Sequence, residues 1–126
     1  MKNIMLVILM LVFIPTLVYG DTETFIRNYS TYSDANGNHK VTDKFVLTFI
    51  VDMTKKTAIM LGSQGTEEVT LIPSGVGEGI SFIEITGAGN VMTTAIDSKG
   101  NSVHSRNTII HGEIVPTQYY GKCEFK

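Results

Sequence analysis

The chain has 126 residues, 10 Lys+Arg against 12 Asp+Glu for a formal charge of −2, 43% hydrophobic residues, one cysteine and no tryptophan. Scattered cations, with Arg27 and Arg106 the only arginines after the first twenty residues, lack the footprint that neutralises phosphates, which argues against nucleic acid as a partner. A lone cysteine excludes an internal disulfide, so stability has to come from a packed core.

Residues 1–20 read as a signal peptide. Lys2 precedes an apolar run from Ile4 to Val18, and no acidic residue appears before Asp21. Val18 and Gly20 stand three and one positions before a cut after Gly20. The run of about 15 residues falls short of the roughly 20 that a helical span needs, so a cleaved leader is expected and no stable membrane span after cleavage. The leader carries one lysine and no acid, so its removal leaves 106 residues at −3. The expected location is outside the cytoplasm, periplasmic or extracellular.

Residues 21–42 read as a polar N-terminal arm or a first strand, because Asn28, Ser30, Ser33, Asp34, Asn36 and Asn38 favour turns over ladders. Residues 43–126 read as an antiparallel β-domain. Lys44–Asp52 sets Phe45, Leu47, Phe49 and Val51 on one face against Val46, Thr48, Ile50 and Asp52 on the other, the alternation of a strand. Turn signals recur at Asn36-Gly37, Thr54–Lys56, Gly62–Gly65, Pro73–Gly79, Gly87–Gly89 and Asp97–Gly100. Between them lie runs rich in β-branched and aromatic residues. Strands are predicted over 24–33, 43–53, 57–62, 66–72, 79–86, 90–97, 101–110 and 112–123, and no long helix is predicted. About eight sequential hairpin strands make an all-β fold, either a small antiparallel barrel or a two-layer sandwich.

The reactive side chains are densest at Val103-His104-Ser105-Arg106-Asn107, followed by His111 and Glu113. On a strand, His104 and Arg106 share one face, while Ser105, Asn107, His111 and Glu113 share the other. His104 is therefore not a base for Ser105, and no catalytic residue is assigned. His104 and His111 are the metal-ligand candidates, but compact ligand spacings such as H-x-x-x-H or C-x-x-C are absent, and no cofactor is expected. Glu84 alternates with Ile80 and Phe82, so partial burial and a raised pKa are expected, with an ion pair to Arg106 or a lysine as its fate. The doublet Glu67-Glu68 reads as solvated surface. Gly75–Gly79 lacks the Lys-Ser/Thr ending of a phosphate loop and reads as a hairpin connection. Cys123 is a free thiol, either packed as a small apolar residue or exposed and able to link two copies into a homodimer.

The segments Gly79–Glu84, Val103–Arg106 and Pro116–Cys123 resemble small exported bacterial proteins of unknown function. That likeness covers roughly residues 43–124 and implies a compact domain ending in an anchored strand, with no activity attached. The lysozyme-inhibitor barrels of bacterial envelopes are a looser architectural likeness; their paired cysteines and tryptophan-bearing motifs are missing here. The leading expectation is a non-enzymatic binding module for a protein or small envelope ligand, with His104, Arg106, Tyr119 and Tyr120 as contacts, since tyrosine and arginine are enriched in contact surfaces. The alternatives are a metal-dependent or hydrolytic enzyme around His104 and His111, and an assembly subunit that pairs through a β-edge.

Overall fold

A computed structural model describes residues 21–74 and 76–123, and the side chain of Cys123 lies outside what is described. The predicted leader, residues 1–20, falls outside it as well. The described residues contain eight strands and no helix: β1 (Thr22–Asp34), β2 (Gly37–Asp52), β3 (Thr57–Gly62), β4 (Gly65–Pro73), β5 (Ile80–Ile85), β6 (Val91–Ile96), β7 (Asn101–Ile110) and β8 (Glu113–Cys123). Each pairs antiparallel with the next and β8 returns to β1, so the sheet closes into a barrel rather than splitting into a sandwich. Closure removes the free edges that an open sheet would present along the barrel wall. Residues 21–42 form β1 and the start of β2.

Chain direction sorts the connections to two ends. The lower end carries residues 53–56, 74, 76–79 and 97–100; the upper end carries 35–36, 63–64, 86–90 and 111–112. At the tip of β7–β8, the two-residue loop His111-Gly112 takes positive φ at both positions, 51° and 82°. That is the backbone twist a tight hairpin favours. Asp97 closes another turn, its carboxylate accepting from the backbone N–H of Lys99 and Asn101 and from Asn101 Nδ2 at 2.8–2.9 Å.

The lower and middle lumen is apolar. Leu47, Phe49, Val51, Ala58, Met60, Val69, Phe82 and Ile96 are buried there, with Phe49 and Phe82 stacked at 4.2 Å between centroids. Eight strands leave an interior just wide enough to be filled by side chains or to hold one small ligand. Arg27 is also buried, 1% exposed; its Nη1 donates to the Ile26 carbonyl at 2.9 Å and its guanidinium lies 5.3 Å from the centre of the Phe25 ring.

Gly121 on β8 faces the lumen beside Tyr29, and any Cβ there would overlap the Asn28 carbonyl oxygen and approach Tyr29 Cδ1 to 2.9 Å. The Tyr29 ring fills the space a side chain would have taken. Its hydroxyl shares a hydrogen bond of 3.0 Å with Ser102.

Four strands overshoot the rest at the upper end. The β2–β3 ladder stops at Thr48↔Leu61 and the β6–β7 ladder at Val91↔Asn107, whereas β1–β2 runs on to Asp34↔Gly37 and β7–β8 to Ile110↔Glu113. The result is a flap in the order β2, β1, β8, β7 that stands above one side of the barrel. At its base, β1 carries an extra residue, Ser30, between the pairs Tyr29↔Gly121 and Thr31↔Tyr120. An extra residue inverts the alternation of everything beyond it. Tyr29 and Tyr32 therefore face the same side, three positions apart.

Candidate functional site

Inward-facing residues of β2 to β7 meet at the upper mouth of the barrel. A cavity of about 230 Å³ opens there, lined by Phe45, Leu47, Met60, Gly62, Glu67, Glu84, Thr86, Met92, His104 and Arg106 together with the β3–β4 turn. Register explains the meeting. Met92 on β6 sits between Glu84 on β5 and Arg106 on β7 as cross-strand partner of both, and Met60 on β3 faces Glu67 on β4. One wall is thus thioether and hydrocarbon, and the rim is ionisable.

His104, predicted as a contact, lies at the cavity floor and is 3% exposed, so neighbouring side chains and not solvent surround it. One ring nitrogen, Nδ1, shares a hydrogen bond of 2.8 Å with the Thr94 hydroxyl, the side chain directly across on β6. Burial, helped by the nearby Arg106 charge, lowers its pKa to about 4, so the imidazole is neutral at physiological pH. Arg106 points into the same mouth, and its Nε is buried with no hydrogen-bond partner among the described residues. Burial raises the Glu84 pKa; the Glu67 carboxylate adds to the rise and Arg106 opposes it.

The predicted ion pair of Glu84 with Arg106 or a lysine does not form. Among the described residues the one ion pair joins His39 to Asp34, at 2.9 Å on the flap. The reason is the intervening strand: Glu84 and Arg106 are both neighbours of Met92, so their backbones stand roughly 10 Å apart, two strand spacings. Glu67, read from the sequence as solvated surface, is exposed and also contributes to the cavity lining.

The two predicted tyrosine contacts part company. Tyr119 faces inward and caps the mouth in an aromatic cluster, 4.7 Å from Phe45, 5.4 Å from Tyr32 and 6.2 Å from His104 between ring centroids. Tyr32 in turn stacks on His39 at 4.8 Å. Tyr120 faces outward, donates to Gln118 Oε1 at 3.0 Å, and borders a separate shallow groove with Thr31 and Lys40. His111 sits exposed at the hairpin tip, seven residues and about 23 Å along the strand from His104, which separates the two metal-ligand candidates. No group of three or more His, Cys, Asp or Glu among the described residues is arranged to hold a metal ion. Ser105 faces away from His104, across from Thr93 and Gln118. Cys123 closes β8 opposite Arg27.

The chain matches no family model, no curated protein and no solved structure. Apolar side chains on the floor desolvate whatever enters, and polar groups on the rim orient it, the combination that small-molecule sites share. The rim charges lie across an apolar gap and are incompletely paired with one another.

Proposed function

We propose that this protein is an exported, non-enzymatic binding module that takes a small ligand into the upper mouth of its barrel. The observation that carries the reading is the cavity of about 230 Å³ in which Phe45, Leu47, Met60 and Met92 meet Glu84 and Arg106. A closed eight-stranded barrel has room for one small guest, and its lower half is already filled by side chains. The composition of residues 1–20, a lysine followed by an apolar run, supports export.

The test is a plug. Gly62 faces the cavity, and a Cβ there would touch only Leu47 Cδ2, at 3.5 Å. Gly62→Leu therefore fills the mouth at little steric expense. Titrating indole, a small neutral aromatic probe, into the protein should give saturable binding in the wild type and none in Gly62→Leu. Equal binding by both would remove the mouth as the site.

A second reading, assembly through a β-edge, is favoured by the ladder of β2 above Thr48, which no third strand covers. Lys40, Asp43 and Lys44 on that stretch are the kind of charges that discourage strand addition. A protein that sediments as a monomer at high concentration argues against it.

A further inference from the structure

The charges around the mouth specify more than a site. At neutral pH the imidazole of His104 is uncharged, which leaves one guanidinium, Arg106, and two carboxyl groups, Glu67 and Glu84, on the lining. Arg106 is only partly buried on that lining, and its guanidinium has no side-chain acceptor among the described residues. Neither carboxyl group closes an ion pair with it. A ligand bearing only a negative charge would answer Arg106 and meet two like-charged neighbours. One bearing only a positive charge would answer the carboxylates and meet the like charge of Arg106. A ligand bearing both charges resolves the two sides together, with its apolar body between the methionines and Phe45.

We propose that the mouth selects small zwitterions with an apolar body, of the type of an apolar α-amino acid, the carboxylate held at Arg106 and the ammonium at Glu84 and Glu67. This rests on the mouth being a ligand site. The spacing suits the assignment: Met92 separates the backbones of Glu84 and Arg106 by roughly 10 Å, so the two charges stand unpaired on the same cavity lining with room for a ligand's two charged groups between them. Charge-assisted contacts at each end give the selectivity, because such hydrogen bonds are stronger than neutral ones and an analogue lacking one charge forgoes one of them.

Calorimetric titration of the wild-type protein with four probes tests this: L-phenylalanine, phenethylamine, which lacks the carboxylate, 3-phenylpropanoate, which lacks the ammonium, and indole, which has neither. L-phenylalanine should bind roughly tenfold tighter than either single-charge analogue, the worth of one charge-assisted contact. Arg106→Gln should abolish its advantage over phenethylamine, and Glu84→Gln should shrink its advantage over 3-phenylpropanoate. If either analogue binds as tightly as L-phenylalanine, or only indole binds, the zwitterion assignment is overturned while the mouth remains a ligand site. If no probe binds, indole included, the ligand-site reading falls with it.

Discussion

Replacing Gly121 by alanine is the smallest change that should open the barrel. The added methyl would overlap the Asn28 carbonyl oxygen, stand 2.9 Å from Tyr29 Cδ1 and lie 3.0 Å from the Asn28 carbonyl carbon. Two of these three atoms are backbone of the neighbouring strand, so relief requires β1 and β8 to separate, and the Tyr29 ring to shift as well. Overpacking of this kind costs about 1–3 kcal/mol, and loss of the buried Tyr29–Ser102 hydrogen bond adds about 1. The sum, about 2–4 kcal/mol, lowers the melting temperature by roughly 10–20 °C in a domain of this size. Gly62→Ala is the matched control, since its Cβ meets only Leu47 Cδ2 at an ordinary 3.5 Å. It should be neutral or slightly stabilising, because it removes glycine's extra freedom from the unfolded chain. Urea unfolding of both variants provides the comparison. If Gly121→Ala proves as stable as Gly62→Ala, the close β1–β8 approach under Tyr29 is wrong.

Phe49→Ala and Phe82→Ala should each cost about 3–5 kcal/mol, and a double-mutant cycle should show about 0.5–1.5 kcal/mol of coupling for the 4.2 Å stack; additive effects would contradict the stacking. His104 is neutral in the fold, with a pKa near 4 against 6.5 unfolded, so the folded state binds fewer protons as pH falls between those values. Its contribution to stability is full above pH 6.5 and declines by about 3 kcal/mol by pH 4, a slope that His104→Gln should flatten when unfolding is followed against pH. Glu84 acts in the opposite sense: its raised pKa means stability is lost as pH rises from 4.5 through the folded value, so Glu84→Gln should be more stable than wild type at pH 7 by thermal melting. Tyr119→Ala should lose about 2 kcal/mol by uncapping the aromatic cluster, while Tyr120→Ala, on the outer face, should change stability by less than about 0.5.

Much of this architecture was legible because strands announce themselves by alternation and turns by composition. The period-2 pattern of Phe45, Leu47, Phe49 and Val51 gives the buried face of β2 directly, and the same logic puts His104 and Arg106 on one side of β7. Closure was not legible, since sandwich and barrel share the same strands and differ only in whether β8 meets β1. The content of the mouth depends on closure. Glu67 joins Glu84 and Arg106 only because β4, β5 and β7 curve around a common lumen, and nothing in the doublet Glu67-Glu68 says which carboxylate turns inward until the register with Met60 is known. Ser30 was the other obstacle. A bulge inverts the alternation, so Tyr32, which by strict alternation belongs to the face opposite Tyr29, ends against Tyr119. The three-residue interval between Tyr29 and Tyr32 was the available signal. Arg27, by contrast, could have been found: it alternates with Phe25 and Tyr29 on a strand whose inward face is otherwise aromatic.

Whether the upper mouth takes a ligand can be watched at its methionines. Met60 and Met92 line the cavity, whereas Met53 lies 43% exposed in the connection at the lower end. In a protein labelled with methyl-¹³C methionine, saturating L-phenylalanine or indole should shift the Met60 and Met92 methyl resonances and leave Met53 in place. Unmoved Met60 and Met92 signals, or a Met53 shift as large as theirs, would contradict a ligand site in the mouth.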